Sequence, residues 1–235
     1  MHKIEDIINK IHCADCLEFI KRIPDNSVDL VLTDPPYKIV VNRMGAGTGF
    51  YKKTNHLAKI DESFGSDFKP LDFLNIAIDK SKNGLLIWSS QSLLLDYINF
   101  AIGNKLKWDL MFWHKINCCP NHYNHLMVDT EYCIRIYPRG AYFNNDLKYI
   151  DYHKYFIESV QHIKGHPTPK PINIIKKQIE LFSKKDDIIL DPFLGSGTTA
   201  VACKELGRKY IGIEISPEYC EIARRRIKAI PELLF

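Results

Sequence analysis

No run of about 18 apolar residues occurs anywhere in the 235-residue chain, so no helix of it is expected to span a membrane. The opening stretch, MHKIEDIINKIHCADC, lacks the apolar core of a signal peptide. Seven cysteines cannot all pair, and without a secretory signal the odd count predicts reduced thiols in a cytoplasm. Neither charge sign dominates: a net charge of +4 permits a polyanionic partner without requiring one. Internal repeats and low-complexity segments are absent, which leaves an ordinary globular chain. Its 46% hydrophobic and 26% charged residues suit one domain, 1–235, with a full core.

The C-terminal part, DDIILDPFLGSGTTAVACKELGRKYIGIEIS, reads as strand, glycine turn, helix, strand. Ile188 to Leu190 form the first strand, Thr198 to Leu206 the helix stopped by Gly207, and Tyr210 to Ile215 the second strand. Ser216 and Pro217 then open another helix, with Arg224, Arg225, Arg226 and Lys228 near its end. Strand-like runs recur at VDLVLT, GLLIWSS, WDLMFW and EYCIRIYP. Helical spacing covers Asp72 to Ile78 and Ser92 to Ile102, and places Ile172, Ile175, Ile179 and Phe182 on one face. Alternating strands and helices predict a doubly wound α/β domain with a mostly parallel sheet. Residues 38–70, Gly-rich and lysine-rich, are expected to form a lid loop, and 115–165 an insertion.

Gly195, Gly197 and Ala200 give a G-x-G-x-x-A spacing between a strand and a helix. Without Cβ atoms, backbone N–H groups at a helix N-terminus can approach an anionic or carboxylate-bearing ligand. Glu214, at the end of the next strand, stands where an acid accepts from ribose hydroxyls. The fingerprint points to a nucleoside-containing ligand and does not separate NAD from S-adenosylmethionine. Taken blandly, it is a tight turn beside a surface acid.

An apolar run, Val28 to Leu32, ends on Asp34, Pro35, Pro36 and Tyr37. Two consecutive prolines remove two donors and stop the strand. What remains is a stiff stub whose carboxylate and Pro35 carbonyl are two acceptors without a competing donor, with Tyr37 as a stacking face. The complement is an exocyclic amine. Its lone pair is delocalised into a ring until two acceptors turn its hydrogens, and Asp34 would stabilise the charge developing on nitrogen. The plainer account is a proline-terminated strand with Asp34 as a cap.

Asp34-Pro-Pro-Tyr37 upstream of DPFLGSGTT (191–199) resembles the β-class DNA amino-methyltransferases, in which the catalytic motif precedes the glycine motif. The resemblance runs from about residue 11 to 228. It implies a Rossmann-like, seven-stranded methyltransferase fold in permuted motif order, with S-adenosylmethionine as donor and S-adenosylhomocysteine as product. Asp34 to Tyr37 would hold a flipped base. Asp191, Pro192, Phe193, Gly195, Ser196, Gly197 and Thr198 would line the methionine end of the cofactor, with Glu214 and Ile215 at its ribose. His166, Thr168 and Lys170 of HPTPKP would close on the methionine moiety, and Asp15 with Cys16 would face its adenine. Lys38 stands where relatives often carry Asn, which leaves the two acceptors untouched.

The implied activity is methylation of N6 of adenine in duplex DNA, by base flipping. N4-cytosine methylation is the first alternative, methylation of RNA or protein amino groups the second, and a non-catalytic nucleic-acid-binding module the third. Lys38, Arg43, Lys52 and Lys53 of the lid, with Lys115 and Arg139, are the candidate DNA contacts. Bases and aromatics interleave through 115–165 (Arg135, Lys148 and Lys154 among Tyr123, Tyr142, Phe143, Tyr149, Tyr152 and Tyr155), which marks that stretch for target recognition. A tyrosine-rich satellite core is the alternative. A prokaryotic or phage origin follows from the resemblance; a restriction endonuclease and a second copy of the chain are the further partners it raises. Cys13 and Cys16 form a CxxC, and Cys118, Cys119, His122 and His125 cluster later, but without a second CxxC no metal is expected.

Overall fold

The computed structural model describes residues 3–36, 69–118, 129–146, 153–160, 163 and 169–231. Tyr37, Lys38, Arg43, Lys52, Lys53, His166 and Thr168 lie outside the described residues, as do Cys119, His122, His125, Tyr123, Lys148, Tyr149 and Tyr152.

In chain order the elements are α1 (Ile4–Ile7), β1 (Lys10–Cys13), α2 (Cys16–Ile20), β2 (Leu30–Thr33), α3 (Pro70–Lys80), β3 (Leu85–Ser89) and α4 (Leu94–Gly103). Then come β4 (Lys107–Lys115), β5 (Thr130–Tyr137), β6 (Tyr155–Glu158), α5 (Ile172–Phe182), β7 (Ile188–Asp191), α6 (Thr198–Glu205), β8 (Lys209–Glu214) and α7 (Pro217–Lys228). The strands form one sheet in the order β1-β8-β7-β2-β3-β5-β4-β6. All neighbours pair in parallel except those of β5, which runs against both β3 and β4.

Helices cover both faces. One face packs Leu30, Leu32, Leu86 and Trp88 against Ile175, Ile179 and Phe182 of α5 and the small residues of α6 and α7. The other packs Val31, Leu85, Ile87 and Ile134 against Ile20, Phe73, Leu74, Tyr97 and Phe100. Every residue of β2 and β3 is buried, as central parallel strands require. Local rules set the ends. Pro70 opens α3 in its first turn, and the Ser216 hydroxyl accepts from the Tyr219 N–H to cap α7.

The sheet has eight strands among the described residues, one more than the seven expected. β6 has only four residues, Tyr155 to Glu158, alternately exposed along the edge, too short a run to stand out as a strand. The stretch expected to be an insertion is in part core. Residues 130–137 form β5, wedged between β3 and β4 with Cys133, Ile134, Arg135 and Ile136 buried.

Candidate active site

The parallel strands β1, β8, β7, β2 and β3 all end at the same rim of the sheet, where open α/β folds bind ligands. That rim brings Asp15, Glu214, Asp191 and Asp34 into one row, each at or just past a strand end. Because β5 runs the other way, its first residues, Thr130 and Glu131, also reach this rim, next to the last residue of β4, Lys115.

Asp34 leaves β2 directly after Thr33, and Pro35 behind it is buried. The Lys170 ammonium donates to Oδ2 of Asp34, while Oδ1 is buried with no hydrogen-bond partner among the described residues. No described donor reaches the Pro35 carbonyl. Two acceptors on adjacent residues are therefore without a described donor, on a backbone that the prolines hold stiff. Burial raises the Asp34 carboxyl above the ordinary aspartate range; Lys170 opposes that shift and the Glu131 charge adds to it.

Lys170 is itself buried, and its ammonium lies 3.2 Å from Oε2 of Glu131 and 5.7 Å from the centre of the Trp88 ring. On the far side of Glu131, Lys115 pairs with Oε1 at 2.5 Å. Burial would raise the Glu131 carboxyl, but Lys170 and Lys115 together outweigh it and hold it low. The row of charges is thus Lys115, Glu131, Lys170, Asp34.

At the glycine turn, Asp191 accepts from the Thr33 hydroxyl at 2.8 Å and from the Phe193 N–H at 3.1 Å. Burial nonetheless pushes its carboxyl up to about 6, against the hydrogen bonds from Thr199, Thr33 and Phe193. Gly197 takes φ +86, and a Cβ there would sit 2.7 Å from Cβ of Ala223, so the turn lies against α7 with no room for a side chain. Glu214 is buried, and its two oxygens accept the N–H groups of Gly195 and Ser216, each at 2.8 Å. Burial raises its carboxyl in spite of these donors. Each oxygen keeps a further lone pair for a hydroxyl. Ile215 beside it is exposed, an apolar surface next to the acid.

Arg226, read from the sequence only as a basic residue near the end of its helix, buttresses this turn. Its guanidinium donates to the carbonyl and hydroxyl of Ser196 and to the Thr198 hydroxyl. Asp15 caps α2 by accepting from the Glu18 N–H at 3.0 Å. The Cys16 thiol behind it is pushed up to about 12, by burial first and by Asp15 second, so it stays protonated. A glycine cradle, a buried acid with spare lone pairs and an adjacent apolar side chain fit a carboxylate-bearing nucleoside such as S-adenosylmethionine.

Three basic residues are not where the sequence suggested. Lys115 is largely buried in its pair with Glu131 and lies over the Trp113 ring, so it belongs to the charge row rather than to an open phosphate-binding face. Arg139 follows the end of β5; since β5 is antiparallel, that puts it at the opposite rim from Asp34, about 20 Å away at strand rise. Arg135 is buried between the rings of Tyr137 and Phe182, 3.9 and 4.0 Å from their centres, and donates to the Tyr142 carbonyl. There the satellite-core alternative holds. No group of three metal-binding side chains occurs among the described residues.

Sequence spacing gave no hint of Thr33, Lys115 or Glu131 as parts of one site, because their meeting depends on strand order. The one local signal is a carboxylate, Glu131, set at the start of the otherwise apolar strand EYCIRIY.

Comparison with known proteins agrees with this geometry. A family model described as DNA methylase, covering the N6 and N4 enzymes, matches residues 28–225. The Type II methyltransferase M.HinfI of Haemophilus influenzae is 30% identical over 97% of this chain and 70% of its own length. The Type II methyltransferase M2.MboI of Moraxella bovis is 29% identical over 95% and 89%. Among solved structures, the M1.HpyAVI complex with SAM superposes with a TM-score of 0.70 at 29% identity, covering 92% of this chain and 98% of that one. The cytosine-N4-specific PvuII DNA methyltransferase shares the fold at a TM-score of 0.67 and 16% identity, over 96% of this chain and 87% of that one. With its acceptor pair ahead of its glycine turn, this chain belongs to the N6/N4 DNA methylase family, the β-class amino-methyltransferases that use S-adenosylmethionine.

Proposed function

We propose that the protein methylates N6 of adenine in duplex DNA, taking the methyl group from S-adenosylmethionine. The observation that carries this reading is the buried Oδ1 of Asp34, without a partner among the described residues, next in sequence to the Pro35 carbonyl that no described donor reaches, one residue from the Thr33–Asp191 bond that joins the acceptor strand to the glycine turn. Two acceptors without a donor suit an NH₂ group and nothing anionic.

In this reading Asp191, Pro192, Phe193, Gly195, Ser196, Gly197 and Thr198 hold the methionine end of the cofactor, Glu214 and Ile215 its ribose, and Asp15 with Cys16 its adenine. The cofactor supplies an electrophilic methyl on a sulfonium. Asp34 and the Pro35 carbonyl take the two hydrogens of the exocyclic amine, turning its lone pair out of conjugation, and Asp34 stabilises the positive charge on nitrogen. Asp34 need not be a strong base, because the amine becomes acidic once it carries the methyl group. A base reaches a strand-end site only by leaving the helical stack, at a cost of a few kcal/mol, so flipping is part of the proposal. The lid reading of 38–70 and the target-recognition role of 115–165 outside β5 belong to it as well.

Incubation with labelled S-adenosylmethionine and DNA, followed by nucleoside analysis, tests it. N6-methyladenine is the expected product; N4-methylcytosine would move the chain to the other branch of its family, and label in RNA or protein would replace DNA as substrate. A cognate endonuclease and self-association in solution are the partners to seek alongside.

A further inference from the structure

Glu131 has no part in the reading above, yet it sits between two lysines at the rim of the sheet with its side chain only 18% exposed. A carboxylate in that position needs an explanation, since burying a charge is costly unless partners hold it. Lys115 Nζ lies 2.5 Å from Oε1, and Lys170 Nζ lies 3.2 Å from Oε2. Lys170 in turn donates to Oδ2 of Asp34, and that leaves Oδ1 without a partner among the described residues. The chain of contacts is therefore directional. It fixes which Asp34 oxygen is occupied and which is left without a described partner.

We propose that Glu131 is a positioning residue for the transfer: clamped by Lys115, it holds the Lys170 ammonium on Oδ2 of Asp34 and so reserves Oδ1 for the substrate amine. The inference rests on the methyltransferase reading and adds a residue to it. Without Glu131, Lys170 loses one of the carboxylates that hold it, on a long stem with several rotatable bonds, and the Asp34 carboxylate can rotate with it. Small misplacements of this kind cost rate rather than cofactor binding.

The charged and titratable groups facing Asp34 among the described residues are Lys170 ahead of α5, Glu131 and Cys133 on β5, Lys115 on β4, Asp191 on β7 and Tyr97 on α4. Of these, Glu131 disfavours the ionised form of Asp34. Removing its charge while keeping its shape should let Asp34 ionise at lower pH.

The test is a single-turnover methyl-transfer assay on a DNA substrate at saturating cofactor and DNA, run beside equilibrium cofactor binding. Glu131→Ala should lose at least tenfold in rate with cofactor affinity within about threefold of wild type. Glu131→Gln keeps an oxygen for Lys170 and should recover part of that loss, with the acid limb of its rate profile moved to lower pH. A wild-type rate in Glu131→Ala, or rate and cofactor affinity lost together, would overturn the assignment. If Glu131→Ala does not fold, the acid limb of Glu131→Gln decides: displaced supports the role, unmoved ends it. A wild-type protein that yields no methylated nucleoside would bring down the methyltransferase reading itself, and this one with it.

Discussion

The hydroxyl of Thr33 donates to Oδ1 of Asp191 across 2.8 Å, although 158 positions separate the two in the chain. Thr33 is the last residue of β2, and Asp191 the last of β7, its parallel neighbour. Each stands one step before a motif: Asp34-Pro-Pro on one side, and Pro192-Phe-Leu-Gly on the other. This buried hydrogen bond, added to the parallel pairing of β2 with β7, sets Asp34 at a fixed offset from the glycine turn. Thr33→Val should leave the fold intact and lower the transfer rate, since it frees Asp191 from the strand that carries Asp34.

Asp34→Asn replaces an acceptor with a donor and removes the charge that balances the developing cation. Transfer should fall by about 100- to 1000-fold, in the range seen when a preorganised electrostatic contact is lost. Cofactor affinity should stay within about threefold, as measured by calorimetric titration. An active variant would take Asp34 out of the chemistry.

Glu214→Ala strips the partners from the Gly195 and Ser216 N–H groups and, in the proposed reading, the acceptor for the ribose. A buried donor left alone costs about 1–3 kcal/mol. Titration should show cofactor affinity at least tenfold weaker, and denaturant unfolding a lower midpoint. Unchanged affinity would separate Glu214 from the ligand.

Gly197→Ala meets both a left-handed backbone and the Cβ of Ala223 at 2.7 Å. The conformation alone costs about 1–2 kcal/mol, and the contact adds to it. Urea unfolding should report the loss, and cofactor binding should weaken in parallel because the cradle shifts.

The carboxyl of Asp191 has an ordinary value of 3.8 and is pushed up to about 6 in the fold. A raised carboxyl binds its proton more tightly when folded, so its stabilising contribution is complete below pH 4 and is lost as pH rises towards 6. The loss amounts to about 3 kcal/mol by that shift. Asp191→Asn keeps an oxygen for Thr33 and Phe193 without the charge. Its stability relative to wild type should therefore rise between pH 4 and 7, as read by unfolding at both ends; a constant difference would contradict the burial argument.

Much of this was legible in the sequence, and the misses share one cause. The glycine turn, the cap of α7 and the proline stop after β2 depend on residues within four positions of one another, which the chain displays directly. β5 entering the sheet in reverse, and β6 closing its edge, are set by pairing between segments far apart. That reversal carries Arg139 to the wrong rim and brings Glu131 to the right one. Arg135 looked like a phosphate contact because charge reads as exposure; its planar cation is instead held between two rings. Lys115 misled for the same reason, its partner being visible only across two strands.

Strand order has a consequence for biosynthesis. The sheet seats β7 beside β2, so a nascent chain emerging from the ribosome holds the whole amine-gripping stub long before the segment that completes the pocket has been made. A product ending ahead of residue 188 would carry Asp34 on a strand flanked by β3 alone, without β7 and the Asp191 carboxylate on its other side. The acceptor strand and the glycine turn can meet only after β7 has been synthesised, so the order of translation delays the pocket behind its first half.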